Sequence, residues 1–309
     1  MSDSPPDLEQ LRRRIDEIDD RLQDLLIERI EIVSRVAAHK REASGVAAHQ
    51  PAREAAIIRR LVARNRGPFP VPTLVRMWRE LLASTVRLQT AFQVVVYAPP
   101  EAQGFWDLAR DHYGSLTPML PCRSAGQVIH ALSEGQAAVG VLPMPEEAEA
   151  DPWWRHLLSP RDSAPHVIAR LPFGARGNAR ADGPGALAIG HSAQQATGRD
   201  RTLFVIEHAP DISRGRIFSS LSAVGLACTF MASCEHVAGA NTTLIELDGF
   251  VPMSDPGLAR LRSEPGSALY RLLRFGGYAV PLSAAELTPR QAAAAVASAP
   301  AAVAATAKS

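Results

Sequence analysis

The chain has 309 residues, 46% of them hydrophobic, and a formal net charge of +1. That length predicts two or three domains with sizeable cores, and a charge so near zero argues against a dedicated nucleic-acid binder. No apolar run reaches the roughly 18–20 residues that span a bilayer, the polar start MSDSPPDLEQ lacks signal-peptide form, and the three cysteines (Cys122, Cys228, Cys234) make no CxxC pair, so a reduced, cytoplasmic protein without membrane span or structural zinc is expected.

Residues 8–42 are predicted to form one helix. Leu8, Leu11, Ile15, Ile18, Leu22, Leu25, Ile32 and Val36 recur at helical spacing, with no Gly or Pro before Gly45. Such a helix is about 50 Å long. A compact bundle of its own chain cannot cover it, so it calls for a partner surface. A second helix is predicted from just after Pro51 to about Asn65. RGPFPVP then breaks the chain, and a third helix follows from about Pro72 to Gln89. The basic run RRLVARNR (59–66) reads as a solvated helix face.

The texture changes at residue 92. QVVVYAPP and QAAVGVLPMP read as strands, with helices around Phe105–Tyr113 and Ala125–Glu134 between them. That order predicts an α/β region with a parallel sheet. Trp153 and Trp154 read as packing residues, and residues 174–200 as a linker or surface loop. From RTLFVIEHAP to RLLRFGGYAV the order is β-α-β-β-α-β, the ferredoxin-like arrangement. His208 and His236 are not at ligand spacing and read as ordinary histidines. The alanine-rich tail beyond Leu282 is expected to be disordered at its end.

The first helix carries an anomaly. One apolar row runs Ile15, Leu22, Arg29, Val36, and a second runs Leu26, Val33, Lys40. Unpaired cations in a dry seam cost several kcal/mol. At 100° per residue Lys40 falls within about 20° of Arg29 and about 16 Å along the axis. Arg12 is rotated from Arg29 by about 100° and lies about 25 Å away. An antiparallel dimer of long helices would cover the apolar face and bring Arg12 of one chain to Arg29 of the other. A pocket lined by fixed cations suits a small polyanion such as a dicarboxylate, because Arg offers a planar fork matched to carboxylate.

Residues 8–90 resemble the all-helical chorismate mutase family. The resemblance rests on LRRRIDEID, on LQDLLIER with the lysine after VAAH, on PAREAAIIRRL, and on TVRLQ, in that order. It implies a three-helix, intertwined homodimer joined through the long N-terminal helix, converting chorismate to prephenate without a cofactor. By the same resemblance Arg12 is donated across the dimer and Arg29 binds a substrate carboxylate. Lys40 and Gln89 flank the ether oxygen, Arg53 supports the carboxylate end, and Glu54 accepts from the ring hydroxyl. Thr85 stands where the family often has Ser, and Gln50 where it often has an acidic residue. Alternative readings are an isochorismate pyruvate lyase, which shares the pocket, and a non-catalytic regulatory or dimerisation protein.

Residues 92–282 resemble, more loosely, the dehydratase and regulatory parts of bifunctional chorismate mutase–prephenate dehydratases. VVVYAPPEAQGFWDLA lacks the family's Gly-Pro-x-Gly-Thr-Phe-Ser opening, and TLFVIEHAP has Leu203 where the family has the arginine of Thr-Arg-Phe. HAPDISRGRIFSSL resembles the opening of an ACT domain but has Arg-Gly-Arg (214–216) for Gly-Ala-Leu, and MASCEH replaces Glu-Ser-Arg-Pro. The resemblance implies a helical domain at 1–91, a degenerate dehydratase-like α/β domain at 92–200, an ACT-like domain at 201–283 and a tail at 284–309. It leaves room for an aromatic amino-acid effector, while dehydratase activity is not expected.

Overall fold

The computed structural model describes residues 7–42, 47–147, 149, 151–158, 164–180, 185–235, 240–263 and 269–288. It divides into two compact units. One comprises Met1–His49 with Thr85–Ala91, the other Gln50–Ser84 with Phe92–Ser309.

The first unit is dominated by α1, Leu8–Glu42, of 35 residues. Asp7 caps it, its carboxylate accepting from the backbone N–H groups of Glu9 (2.6 Å) and Gln10 (3.1 Å). The apolar residues that set its period stand open: Leu8, Ile15, Leu22, Leu25 and Ile32 are each more than half exposed. The same unit includes the last turns of α3, Val71–Gln89.

In the second unit α2, Pro51–Arg64, starts with proline at its first position, where no N–H is needed. Ala55 and Ile58 of α2 and Val71, Val75 and Leu82 of α3 share a core with Phe173 and Leu282. Arg59 is not on a solvated face, contrary to the reading of its basic run. Its guanidinium donates to Thr197 Oγ1 (2.8 Å) and to the carbonyls of Arg199 (2.9 Å) and Val280 (2.5 Å). The division has a cut after Ala91, where a boundary is expected, and two more after His49 and Ser84, which group α2 and most of α3 with the α/β region.

That region follows as β1 (Val94–Tyr97), α4 (Gly104–Tyr113), β2 (Met119–Cys122), α5 (Ala125–Ser133), β3 (Val139–Pro143), β4 (His166–Leu171) and β5 (Ala186–Gly190). β1 pairs in parallel with β2 and β3, while β5 runs antiparallel between β3 and β4. The expectation of a linker or loop over 174–200 fails at β5. ALAIG is buried at all five positions, a short apolar run fully enclosed in the sheet. Trp153 and Trp154 are buried packing residues, as expected.

β6 (Asp200–His208), α6 (Arg214–Ala223), β7 (Cys228–Glu235), β8 (Asn241–Asp248), α7 (Pro256–Ser263) and β9 (Leu269–Ala279) complete the ferredoxin-like order. Their strands lie β9-β6-β8-β7, all antiparallel. The two halves are not separate sheets. β4 pairs with β9 at Val167 and Gly276, giving one nine-stranded sheet. Gly276 is required there: its φ is +104°, and a Cβ would lie 2.2 Å from the Val167 carbonyl oxygen. One core also runs under both halves, from Val95 and Leu142 to Val205, Leu244 and Tyr278.

Ala284–Leu287 forms a last turn, α8, with a Ser283–Glu286 capping box. The rest of the expected tail, 289–309, and His236 lie outside the described residues. Among the described residues no helix is long and apolar enough to cross a membrane.

Candidate active site

On α1 the exposed apolar side chains from Leu8 to Val36, Ile27 apart, fall within an arc of about 120°. Arg29 and Lys40 sit inside that arc, about 20° apart. Arg29 is half-buried, and desolvation pulls its guanidinium below the ordinary pKa. Lys40 Nζ donates to the Ala47 carbonyl at 3.2 Å, which ties the segment after α1 back to the helix. Arg12 lies about 40° outside the arc and is largely exposed, with Glu9 at 2.7 Å. At the end of α3 Thr85 is buried, and its carbonyl accepts from Gln89 Nε2 at 2.9 Å. The Gln89 Oε1 is buried without a hydrogen-bond partner. The amide nitrogen carries two hydrogens, so a second donor remains for another acceptor.

The remaining site residues belong to the second unit. Gln50 is the residue before α2, and its carbonyl accepts from the Glu54 backbone N–H at 3.1 Å. Its side chain makes no capping bond. Arg53 is exposed, and Glu54, one residue on, is turned inward. The Glu54 carboxylate meets Arg79 Nη1 at 3.0 Å, with both side chains nearly buried. Arg79 in turn lies over the Phe173 ring, 5.0 Å from its centroid. Burial pulls Arg79 below its ordinary pKa against the pull of Glu54. Burial, and then the charge of Glu54, push the hydroxyl of Tyr113 upward, so it stays neutral beside the pair.

Arg79 was not among the residues singled out from the sequence. The signal was there. Val71, Val75, Arg79 and Leu82 recur at spacings of four, four and three, so Arg79 fills an apolar position of α3 just as Arg29 does in α1.

The positions that stand in place of dehydratase motifs are structural. The Thr202 hydroxyl donates to the Gly249 carbonyl (2.8 Å) and accepts from the Val251 N–H (2.9 Å). Leu203 is buried in β6. Arg214 donates to Glu147 (3.1 Å) and to the Met231 carbonyl (3.0 Å). His208 is a buried histidine bonded to Thr243 Oγ1 at 2.9 Å.

Residues 11–90 match the chorismate mutase type II family. The N-terminal segment is a chorismate mutase domain. The chain is also similar to bifunctional chorismate mutase/prephenate dehydratases, with 28% identity over 146 residues in Pseudomonas aeruginosa and 29% over 147 residues in Aquifex aeolicus. Those matches cover 46% of this chain, and the chain spans about 40% of the length of these relatives. Among solved structures it is similar to the quorum-quenching acylase GqqA (17% identity, TM-score 0.45, 62% of this chain and 95% of that one). It is also similar to prephenate dehydratase from Streptococcus mutans (15%, 0.43, 62% and 98%).

Proposed function

We propose that the chorismate mutase domain is catalytic, that it rearranges chorismate to prephenate, and that it works as a homodimer through α1, with residues 1–91 as the catalytic module. The observation that carries the reading is the pair Arg29 and Lys40 within the apolar arc of α1. A helix made only for association would place leucine there, since a buried cation opposes association unless something anionic meets it.

The chemistry asks for little else. The substrate must be held folded with its two carboxylates neutralised, a proximity effect. Arg29, Arg53 and Arg12 of the second chain suit that task. As the C–O bond breaks, negative charge grows on the ether oxygen, and donors aimed at that oxygen lower the barrier. Lys40 supplies a charged donor and Gln89 the second hydrogen of its amide. Glu54 accepts from the ring hydroxyl, with Gln50 and Thr85 as neutral polar partners. The reaction is intramolecular, so it calls for no external nucleophile and no cofactor.

The exposed row on α1 supports the dimer, because a second copy of the same helix offers a matching apolar row of the same length. For residues 92–282 we infer no dehydratase activity. Leu203 cannot polarise a leaving hydroxyl, and Thr202 is occupied by the turn around Gly249.

Loss of chorismate absorbance with purified protein tests the reading, with isochorismate assayed in parallel. Turnover of chorismate to prephenate is expected, lost in Lys40→Ala. Pyruvate released from isochorismate with chorismate untouched would replace the mutase by a lyase. Phenylpyruvate formed from prephenate above the acid-catalysed background would refute the inactive-dehydratase half.

A further inference from the structure

A cavity of about 270 Å³ lies between the N-terminal part of α3, α4 and the segment that follows β4. It falls just short of the roughly 300–1,000 Å³ of pockets for drug-sized ligands, so it suits a small metabolite. Val75, Leu108 and Phe173 give it an apolar wall. Arg76, Arg79 and Arg176 line it together with one carboxylate, Asp111, and two of these arginines also meet carboxylates outside the lining, Arg76 at Glu80 and Arg79 at Glu54. Asp111 is already engaged, by Arg76 and by the Gly177 N–H at 3.2 Å. A Cβ at 177 would lie 2.6 Å from Asp111 Oδ2, so a larger residue there would displace that carboxylate. The wall is therefore built to hold the arginines in place, with apolar surface beside them.

One wall residue reaches beyond the cavity. Arg79 commits Nη1 to Glu54, and Glu54 does not line the cavity. The guanidinium stands between the two, stacked on Phe173. An anion arriving from the cavity side would share Arg79 with Glu54 and weaken its hold on that carboxylate.

We propose that this cavity binds a small monocarboxylate with an apolar body, and that occupancy slows turnover through Arg79 and Glu54. The carboxylate rests on the arginine forks and the apolar body on Phe173 and Val75. The binding stands by itself; the effect on turnover rests on the mutase reading above.

Calorimetric titration of the full chain with 3-phenylpropanoate tests it, with 3-phenylpropanamide as the uncharged control. Saturable binding of the acid is expected, about tenfold weaker for the amide and in Arg76→Gln. Thr73→Trp, at an exposed position on the cavity rim, should abolish binding by filling the space. Chorismate turnover should fall as the acid saturates the wild type and stay constant in Thr73→Trp. No saturable binding, equal binding of acid and amide, or binding untouched by Thr73→Trp would each overturn the site. Binding as expected with no change in turnover would overturn the link through Arg79. Binding as expected in a protein without any chorismate turnover would keep the site and remove the mutase reading instead.

Discussion

Arg29 of α1 and Arg79 of α3 occupy like positions in their helices, each filling one place in an apolar row. Their surroundings differ. Around Arg79 the chain supplies what the charge needs: the Glu54 carboxylate at 3.0 Å and the face of Phe173. Around Arg29 the row stays open, with Leu22, Leu25 and Ile32 each more than half exposed. In the second unit most of the central strands are buried, and Arg79, Arg59 and Arg180 are each met by a carboxylate or carbonyls of the same unit. On the reading proposed above, α1 meets something outside the chain. There the apolar face packs on a second copy and Arg29 within it binds a substrate carboxylate. The two arginines should therefore respond in opposite ways to substitution.

The largest effect expected is on stability, at Arg79. Arg79→Ala leaves the nearly buried Glu54 carboxylate without its partner, a change that costs about 3–5 kcal/mol in comparable buried pairs. Chemical denaturation should show the midpoint falling sharply. A midpoint within experimental error of wild type would mean that the pair does not hold α3 to α2.

Arg29→Leu and Lys40→Leu should do the reverse. Loss of one transition-state donor costs about 100- to 1000-fold in turnover. Stability should hold or rise, since a charge leaves an apolar face. Near-normal turnover in either variant would reduce α1 to an association helix.

A third outcome probes the open face itself. Mixed Arg12→Ala and Arg29→Ala proteins should regain part of the activity that each lacks. In a mixed dimer one site collects both defects and the other neither. If the chains exchange, as a tagged subunit would report, and no activity returns, then Arg12 does not act across the dimer.

What could be read beforehand follows the same division. α1 spans Leu8–Glu42, the same residues that its helical spacing and the absence of Gly and Pro mark. α2 and α3 were legible from Pro51, RGPFPVP and their apolar rows. The β-α-β-β-α-β order from residue 200 was legible because each strand is a β-branched or aromatic run bounded by turns. β5 was not, because ALAIG is short and embedded in Gly-, Ala- and Arg-rich chain, and only its neighbours β3 and β4 define it as a strand. The fused sheet was invisible for a similar reason, since its one ladder pair between β4 and β9 joins Val167 to Gly276, 109 positions apart. In the site, the cations of α1 were legible because they interrupt a pattern. Arg79 interrupts a pattern equally. It was missed because its partner Glu54 lies 25 positions away and already had a reading as a substrate ligand.

The smallest effect separates the closed unit from α1 by pH. Asp107 of α4 is buried, and desolvation by itself would raise its pKa. The side chain and backbone N–H of Arg180 bond to it at 2.7–3.2 Å and reverse that, holding the carboxyl below the usual range. A folded-state pKa below the unfolded value of about 3.9 stabilises the folded form above that pH. The contribution is lost as the pH falls through the lower, folded value. The stability gap between wild type and Asp107→Asn should therefore be full at neutral pH, begin to narrow below about pH 4, and close only once the pH has passed the lower, folded-state value, where the wild-type carboxyl is itself neutral. Glu9→Gln, which removes the exposed partner of Arg12 on α1, should leave the unfolding midpoint in place at every pH, because exposed pairs contribute about 0–1 kcal/mol. Denaturant midpoints across pH 2.5–7 compare the two, and a gap at Asp107 that persists unchanged into strong acid would show that its role is packing rather than charge.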